Sequence, residues 1–320
     1  MRMGVLTSGG DAPGMNACIR SVVRTGLERG VDVVGIRRGY AGIYDDAFEP
    51  LTRPSIVNIV QRGGTVLGTS RSPRMRTEEG LAEAVAILAR HGIDALVLIG
   101  GDGTFRGGAA LEAAGGPATV GIPGTIDNDV AGTDVTLGFD TAVNTAVEAI
   151  DRIRDTASSH ELLHFVEVMG RHCGAIALHA AVAGGAEAVL VPEAELDDRT
   201  LAARISEELQ AGKRSVIVVL SEGARAGSAE QAAGSVAGLL GLEFRLTVLG
   251  HVQRGGSPSA ADRILGALFA VEAVDALLAG DRSCFVGRRD GAIVRVPYAE
   301  MDGRRQVLDP RLIRAAHLIG

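Results

Sequence analysis

The chain has no tryptophan, and aromatic residues make up 3% of it. An interior with so few rings must be packed by aliphatic side chains. The three cysteines, Cys18, Cys173 and Cys284, are far apart, odd in number and set among apolar neighbours. That argues against a disulfide framework and against a cysteine zinc site. Lysine is almost missing: Lys213 stands alone, and every other strong cation is an arginine. The formal charge of −7 argues against general affinity for nucleic acid or for an anionic membrane, while leaving room for a local basic pocket. No uncharged apolar run approaches the ~18 residues that would span a bilayer. The first residues enter a strand-like run with no charged-then-apolar leader. Together these absences predict a cytoplasmic protein.

Glycine is what the chain has in quantity, with 44 among 320 residues. The glycines gather at strand ends and do not repeat, as in an α/β enzyme and unlike a low-complexity chain. Two stretches stand out: Gly100-Gly101-Asp102-Gly103-Thr104 and Pro123-Gly124-Thr125-Ile126-Asp127-Asn128-Asp129. Each follows an apolar run that reads as a buried strand, over 95–99 and 119–122. A strand that ends in glycines and opens a helix exposes backbone N–H groups, which bind phosphate. Carboxylates beside such a site either hold Mg²⁺ or take a proton from an attacking hydroxyl. The combination points to phosphoryl transfer.

The rest of the chain has the same rhythm. Strands are predicted over 3–7, 32–36, 165–169, 188–191 and 215–220, with two short ones near 284–286 and 293–296. Helices are predicted over 16–29, 77–90, 105–114, 141–155, 174–183, 200–211 and 260–279, with a further one at the C-terminus. The stretch 40–51 reads as irregular, 222–241 as partly loop, and Asp11 as a possible cap for the first helix. A glycine- and hydroxyl-rich loop over 62–72 has Arg71, Arg74 and Arg76 nearby. Alternating strands and helices predict an α/β fold with largely parallel sheets covered on both faces. The strands are too many for one sheet, so two Rossmann-like three-layer domains are expected, with ligands at the carboxyl ends of the strands.

With these turns aligned, the chain resembles the bacterial 6-phosphofructokinase family over nearly its whole length. The resemblance is carried by Gly4-Val5-Leu6-Thr7-Ser8-Gly9-Gly10-Asp11-Ala12-Pro13-Gly14, by Ile99 to Gly103, by Pro123 to Asp129, by Glu167-Val168-Met169-Gly170-Arg171, and by Val248 to Gly256. Gly-Gly-Asp-Gly-Thr also occurs in other kinases, but Pro-Gly-Thr-Ile-Asp-Asn-Asp together with Gly-His-Val-Gln-Arg-Gly-Gly is specific. The resemblance implies Mg²⁺-dependent transfer of the γ-phosphoryl of ATP to the 1-hydroxyl of fructose 6-phosphate. It implies a nucleotide-binding domain over 1–138 plus about 255–304, and a sugar-phosphate domain over 139–254 plus the C-terminal helix at about 305–320.

It also implies roles. Asp127 is the expected general base, with Thr125, Arg171 and Gly10 completing the catalytic set. Gly10, Arg71, Ser72, Gly101, Asp102, Gly103 and Thr104 are expected at ATP, and Asp102 and Asp129 at the metal. Thr125, Ile126, Asp127, Met169, Gly170, Arg171, Glu222, His251, Val252, Gln253 and Arg254 are expected at the sugar phosphate, joined by Arg245 from a neighbouring subunit. Arg20, Arg24, Arg154, Gly185, Glu187 and Lys213 match an effector pocket for nucleoside diphosphate or phosphoenolpyruvate, in a homotetramer. Ala211 lacks the basic side chain often found in that pocket.

Two details refine the expectation. Relatives that use pyrophosphate place aspartate at the position of Gly103 and lysine at that of Gly124; this chain keeps both glycines, which implies ATP. The family usually has arginine in a Ser-His-Gln-Arg run, where this chain reads Ser159-His160-Glu161-Leu162. Leu162 supplies no charge-assisted contact, worth ~1.5–3 kcal/mol. Weak fructose 6-phosphate binding, a shifted sugar preference or a phospho-ligand sensor are the alternatives this position raises. Leu162→Arg is expected to lower the KM for fructose 6-phosphate roughly ten- to a hundredfold. An unchanged KM in a substrate titration would refute that account.

Overall fold

The computed structural model describes residues 1–157, 163–194, 196–301, 304 and 306–319. Leu162 and the three residues before it lie outside the described residues. The chain opens with β1 (Arg2–Thr7), α1 (Met15–Glu28), β2 (Asp32–Ile36), α2 (Ala41–Tyr44) and β3 (Phe48–Leu51). It continues with α3 (Glu78–Arg90), β4 (Ala95–Gly100), α4 (Asp102–Ala113), β5 (Ala118–Pro123) and α5 (Phe139–Ala157). Then follow β6 (Leu163–Val168), α6 (Ala175–Gly184), β7 (Ala188–Leu190), α7 (Asp198–Gln210), β8 (Val216–Ser221), α8 (Ala229–Leu240) and β9 (Phe244–Val248). Last come α9 (Ala260–Leu278), β10 (Cys284–Arg289), β11 (Ala292–Pro297) and α10 (Pro310–Ile319).

These elements form two compact units. The first takes in residues 1–126, 130–140 and 254–305, the second 127–129, 141–253 and 306–320. The first holds a seven-stranded sheet in the order β11-β10-β5-β4-β1-β2-β3. Its middle is parallel, and the edge strands β3 and β11 run antiparallel to β2 and β10. All six residues of β4 are buried, which requires cover on both faces. The core on one face joins Leu6, Val34, Ile36, Leu96 and Leu98 to Ala84, Ile87 and Leu88 of α3 and Leu111 of α4. Helices α1 and α9 pack together and against the strands.

The second unit holds a parallel sheet in the order β7-β8-β6-β9. Leu163 and Phe165 of β6 and Val216, Val218 and Leu220 of β8 form one core with Leu201 and Ile205 of α7 and Ala233 and Val236 of α8. Phe165 and Phe244 meet edge to face at 6.1 Å, a rare ring pair in an aliphatic interior.

Two expectations need correction. The stretch 40–51 is not irregular: α2 forms, and β3 pairs with β2. The pairing partner lies far from the local pattern, and Pro50 is tolerated because β3 is an edge strand. The stretch 222–241 is partly loop, as expected: residues 222–228 are non-helical, and α8 follows, opened by a capping box in which Ser228 and Gln231 satisfy each other's backbone N–H. Helix α4 begins at Asp102, not at Phe105, because Thr104 N–H already bonds to Gly101 O at 2.9 Å. Among the described residues no helix is long and apolar enough to cross a membrane.

Candidate active site

In the first unit the turns after β1, β4 and β5 stand side by side, because these strands are neighbours in the sheet. Gly9 is left-handed at φ +90°, which turns the chain away from β1. Ser8 N–H donates to Ile99 O at 3.0 Å, Thr104 Oγ1 donates to Ser8 O at 3.2 Å, and Gly124 N–H donates to Gly100 O at 2.9 Å. A Cβ on Gly100 would sit 2.4 Å from Ser8 O, so only glycine lets the turns approach this closely. Tyr40, which the sequence did not flag, donates its hydroxyl to Thr104 O at 2.6 Å.

The early start of α4 puts Asp102, Gly103 and Thr104 in its first turn, where helical N–H groups have no intrahelical partner. Asp102 Oδ2 pairs with Arg106 Nη2 at 2.8 Å, while Oδ1 is buried and accepts no hydrogen bond. An orphaned buried carboxylate oxygen beside a phosphate-type turn suits a hard cation. Among the described residues no three potential metal ligands cluster. Mg²⁺ needs no such cage, since it usually takes one or two carboxylates together with phosphate oxygens and water.

The loop over 62–72 belongs to this group of turns. Asn16, buried at the start of α1, donates Nδ2 to Arg62 O and Gly63 O and accepts from Val66 N–H at 2.7 Å. Thr7 Oγ1 donates to Gly68 O at 2.8 Å, and Thr69 Oγ1 to Gly9 O at 2.7 Å. The loop therefore lies along the β1 turn; just beyond these contacts Arg71 is exposed and Ser72 half-buried. Arg74 is diverted: it pairs with Glu83 and lies 4.1 Å above the Tyr44 ring. Asp11 does not cap α1, whose N-cap is Gly14 with no side-chain bond.

Arg254 also reaches the β1 turn. Its Nη1 donates to Asp11 O at 3.4 Å, and its Nε is buried without a hydrogen bond. A Cβ on Gly10 would lie 2.0 Å from Nη1. Gly10 is thus the floor on which the guanidinium rests. Thr125 and Ile126 close this unit's share of the second motif. Thr136 Oγ1 donates to Thr125 O at 2.6 Å, and Ile126 is fully buried, leaving its backbone as its available part.

The second unit carries the rest. Asp127 and Asn128 are buried, Asn128 is left-handed at φ +51°, and Asp129 is half-buried. Beyond β6, Met169 is buried and its N–H donates to Gln253 Oε1 at 2.8 Å; Gln253 is fully buried, with Nε2 unbonded. Gly170 has φ +143°, and a Cβ there would meet Cys173 O at 2.3 Å. Arg171 adopts φ +56°, uncommon for a residue other than glycine, and its side chain is exposed. Its N–H donates to Glu222 Oε1 at 2.7 Å. Gly223 makes room for this turn, since a Cβ on it would lie 1.9 Å from Arg171 O. Arg245, His251 and Val252 are exposed.

Of the six residues expected at an effector pocket, the second unit brings four together. Buried Glu187 pairs with Arg154 at 3.2 Å and Lys213 at 3.4 Å, and accepts Ile217 N–H at 2.7 Å. Lys213 also pairs with Glu208 at 2.6 Å, and Arg154 donates to Gly184 O and Gly185 O. Both cations are therefore already paired. Arg20 and Arg24 lie on α1 in the first unit. The cysteines are buried and free, and burial pushes Cys173 up to about 12 and Cys284 up to about 11, so neither supplies a thiolate.

Comparison with known proteins gives the same direction. The Phosphofructokinase family model matches residues 2–277. The chain is 52% identical over 318 residues to "ATP-dependent 6-phosphofructokinase 1" of Thermus thermophilus, covering 99% of each chain. It is 48% identical over 317 residues to "ATP-dependent 6-phosphofructokinase" of Clostridioides difficile, covering 99% of this chain and 98% of the relative. Among solved structures, the phosphofructokinase of Saccharomyces cerevisiae matches with a TM-score of 0.88 at 35% identity. That match covers 94% of this chain and 45% of the yeast chain, so this chain spans under half the yeast chain's length. With a family model over most of its length and relatives at about half identity from end to end, the chain belongs to the phosphofructokinase family.

Proposed function

We propose that the chain transfers the γ-phosphoryl of ATP to the 1-hydroxyl of fructose 6-phosphate, giving fructose 1,6-bisphosphate, as a cytoplasmic enzyme of glycolysis. The observation that carries this reading is the 52% identity across 99% of both chains to a relative bearing that activity in its name. The same likeness weighs against the sensor and altered-sugar alternatives raised by Leu162.

The N–H groups at the start of α4 and the β1 turn take nucleotide phosphates, aided by the α4 dipole. Asp102 and Asp129 would hold Mg²⁺, which supplies charge neutralisation at the phosphates when bound. Asp127 accepts the proton of the sugar hydroxyl, and Thr125 orients the reacting groups. Arg171 stabilises charge on the transferred phosphoryl. Arg254, His251 and Arg245 face the sugar's phosphate. Glu222 is an acceptor only, so it takes sugar hydroxyls and not the phosphate. The effector cluster and a homotetrameric assembly belong to the same proposal.

The donor choice has a spatial support. A Cβ on Gly103 would meet nothing within 4 Å, so the space beside the α4 turn is open. Gly103→Asp is therefore expected to leave the melting temperature unchanged while lowering kcat/KM for ATP at least about tenfold through charge and crowding at the phosphates. Equal ATP activity in that variant would sink the donor assignment. The reading as a whole is tested by a coupled assay with ATP or pyrophosphate and fructose 6-phosphate, in which turnover with pyrophosphate alone would overturn it.

A further inference from the structure

The carboxyl end of the four-stranded sheet carries one carboxylate to which no role has yet been given. Glu167 lies on β6, opposite Leu220 of β8 and Val248 of β9. Leu163 and Phe165 on the same strand face the core beneath α7 and α8, and alternation turns Glu167 to that side. Glu222 follows Leu220 by two residues, so it returns to the same side, and its N–H is fixed to Val168 O at 2.9 Å. Glu167 is half-buried, and no described ion pair or side-chain hydrogen bond engages it. Burial, then the charge of Glu222, raises its carboxyl above the ordinary range.

The cations of the elements on this face are exposed or already engaged: Arg199 and Arg204 of α7 are exposed, and half-buried Arg225, before α8, pairs with Asp198 at 3.0 Å and donates to Leu196 O. From β9 the residues turned toward it are Phe244, Leu246 and Val248, while Arg245 alternates to the opposite side. The charged residue of α8, Glu230, is exposed. Helix α6, with His179, covers the other face. A half-buried carboxylate whose charged neighbour is another carboxylate is costly unless it has a use.

We propose that Glu167 is a positioning residue for the acceptor sugar, acting through Glu222. This rests on Glu222 taking sugar hydroxyls, as proposed above. When Glu167 is ionised it accepts hydrogen bonds only, and the lone pairs of Glu222 stay available to Arg171 N–H and the sugar. As pH falls through its raised pKa, Glu167 gains an O–H whose neighbouring anionic acceptor is Glu222. That O–H competes with the sugar hydroxyls, so the KM for fructose 6-phosphate rises on the acid side. The sugar phosphate itself titrates near pH ~6, but it does so identically with every variant, so the difference between variants isolates Glu167.

The test is a titration of rate against fructose 6-phosphate at saturating ATP across the neutral and acid range, with melting temperatures as a check on folding. Glu167→Gln carries a permanent N–H donor and is expected to raise the KM about tenfold at all pH values. Glu167→Met has neither charge nor donor; its KM should stay near the native value in the alkaline range and lose the extra acid limb. In a Glu222→Gln background, Glu167→Gln should add nothing further. A full acid limb in Glu167→Met, or equal KM increases in both variants at every pH, would overturn the positioning role. Absence of native turnover with ATP and fructose 6-phosphate would bring down the proposed function and this inference with it, whereas native turnover with unaltered variants overturns the inference alone.

Discussion

Asp127→Asn is expected to lower kcat by about a hundred- to ten-thousandfold while fructose 6-phosphate binds within a few-fold of native. Asparagine keeps the size and most of the hydrogen-bonding capacity of the carboxylate but has no useful basicity. The turn should survive the change. Asn128 holds a left-handed conformation at φ +51°, and its carbonyl meets Cys173 Sγ at 3.9 Å, so the backbone of the turn is set by contacts other than the Asp127 charge. The loss should therefore fall on the chemical step, which needs a group that takes the proton as the sugar oxygen attacks phosphorus. Coupled-assay kcat and calorimetric fructose 6-phosphate affinity separate the two effects. A variant with native kcat and a greatly raised KM would move Asp127 from the chemistry to binding.

Gly10→Ala should produce the second-largest effect, through a residue remote in sequence. The new Cβ would lie 2.0 Å from Arg254 Nη1 and 3.1 Å from its Cζ. The obstacle is the end of a long side chain, so the guanidinium moves and the backbone stays; the melting temperature should barely change. Displacing Arg254 would remove the charge-assisted contact proposed for it at the sugar's phosphate, worth ~1.5–3 kcal/mol. The KM for fructose 6-phosphate should rise about ten- to a hundredfold. Arg254→Ala should give a similar increase, and the double variant little more, because both changes remove one contact. Additive losses would show that Gly10 acts on its own, through the nucleotide turn.

Much of the candidate site was legible because the motifs that suggest it are local in sequence. Glycines, hydroxyls and carboxylates follow apolar runs within a few residues, and a strand followed by such a turn has few other uses. The helix boundary at Asp102 was less legible. It depends on one backbone bond from Thr104 to Gly101, and Asp-Gly-Thr carries no strong propensity for a helix. The role of Asn16 left only a faint trace, a polar residue on the buried side of an amphipathic helix. Arg74 looked equivalent to Arg71 until Tyr44 and Glu83 were seen to engage it.

By itself the sequence determined the aliphatic core, the alternation of strands and helices, the phosphate-type turns, and the family to which they belong, since each is written in runs of adjacent residues. Only the tertiary structure decided that β3 would edge the first sheet, that the loop over 62–72 would lie along the β1 turn, and that Arg254 would rest on Gly10. It also set Glu167 opposite Leu220 and Val248 in the second sheet and paired Arg154 and Lys213 with buried Glu187. These contacts join residues tens to hundreds of positions apart. They are fixed by strand order and by which side chain alternation turns to which face, and neither is encoded in any one stretch of chain.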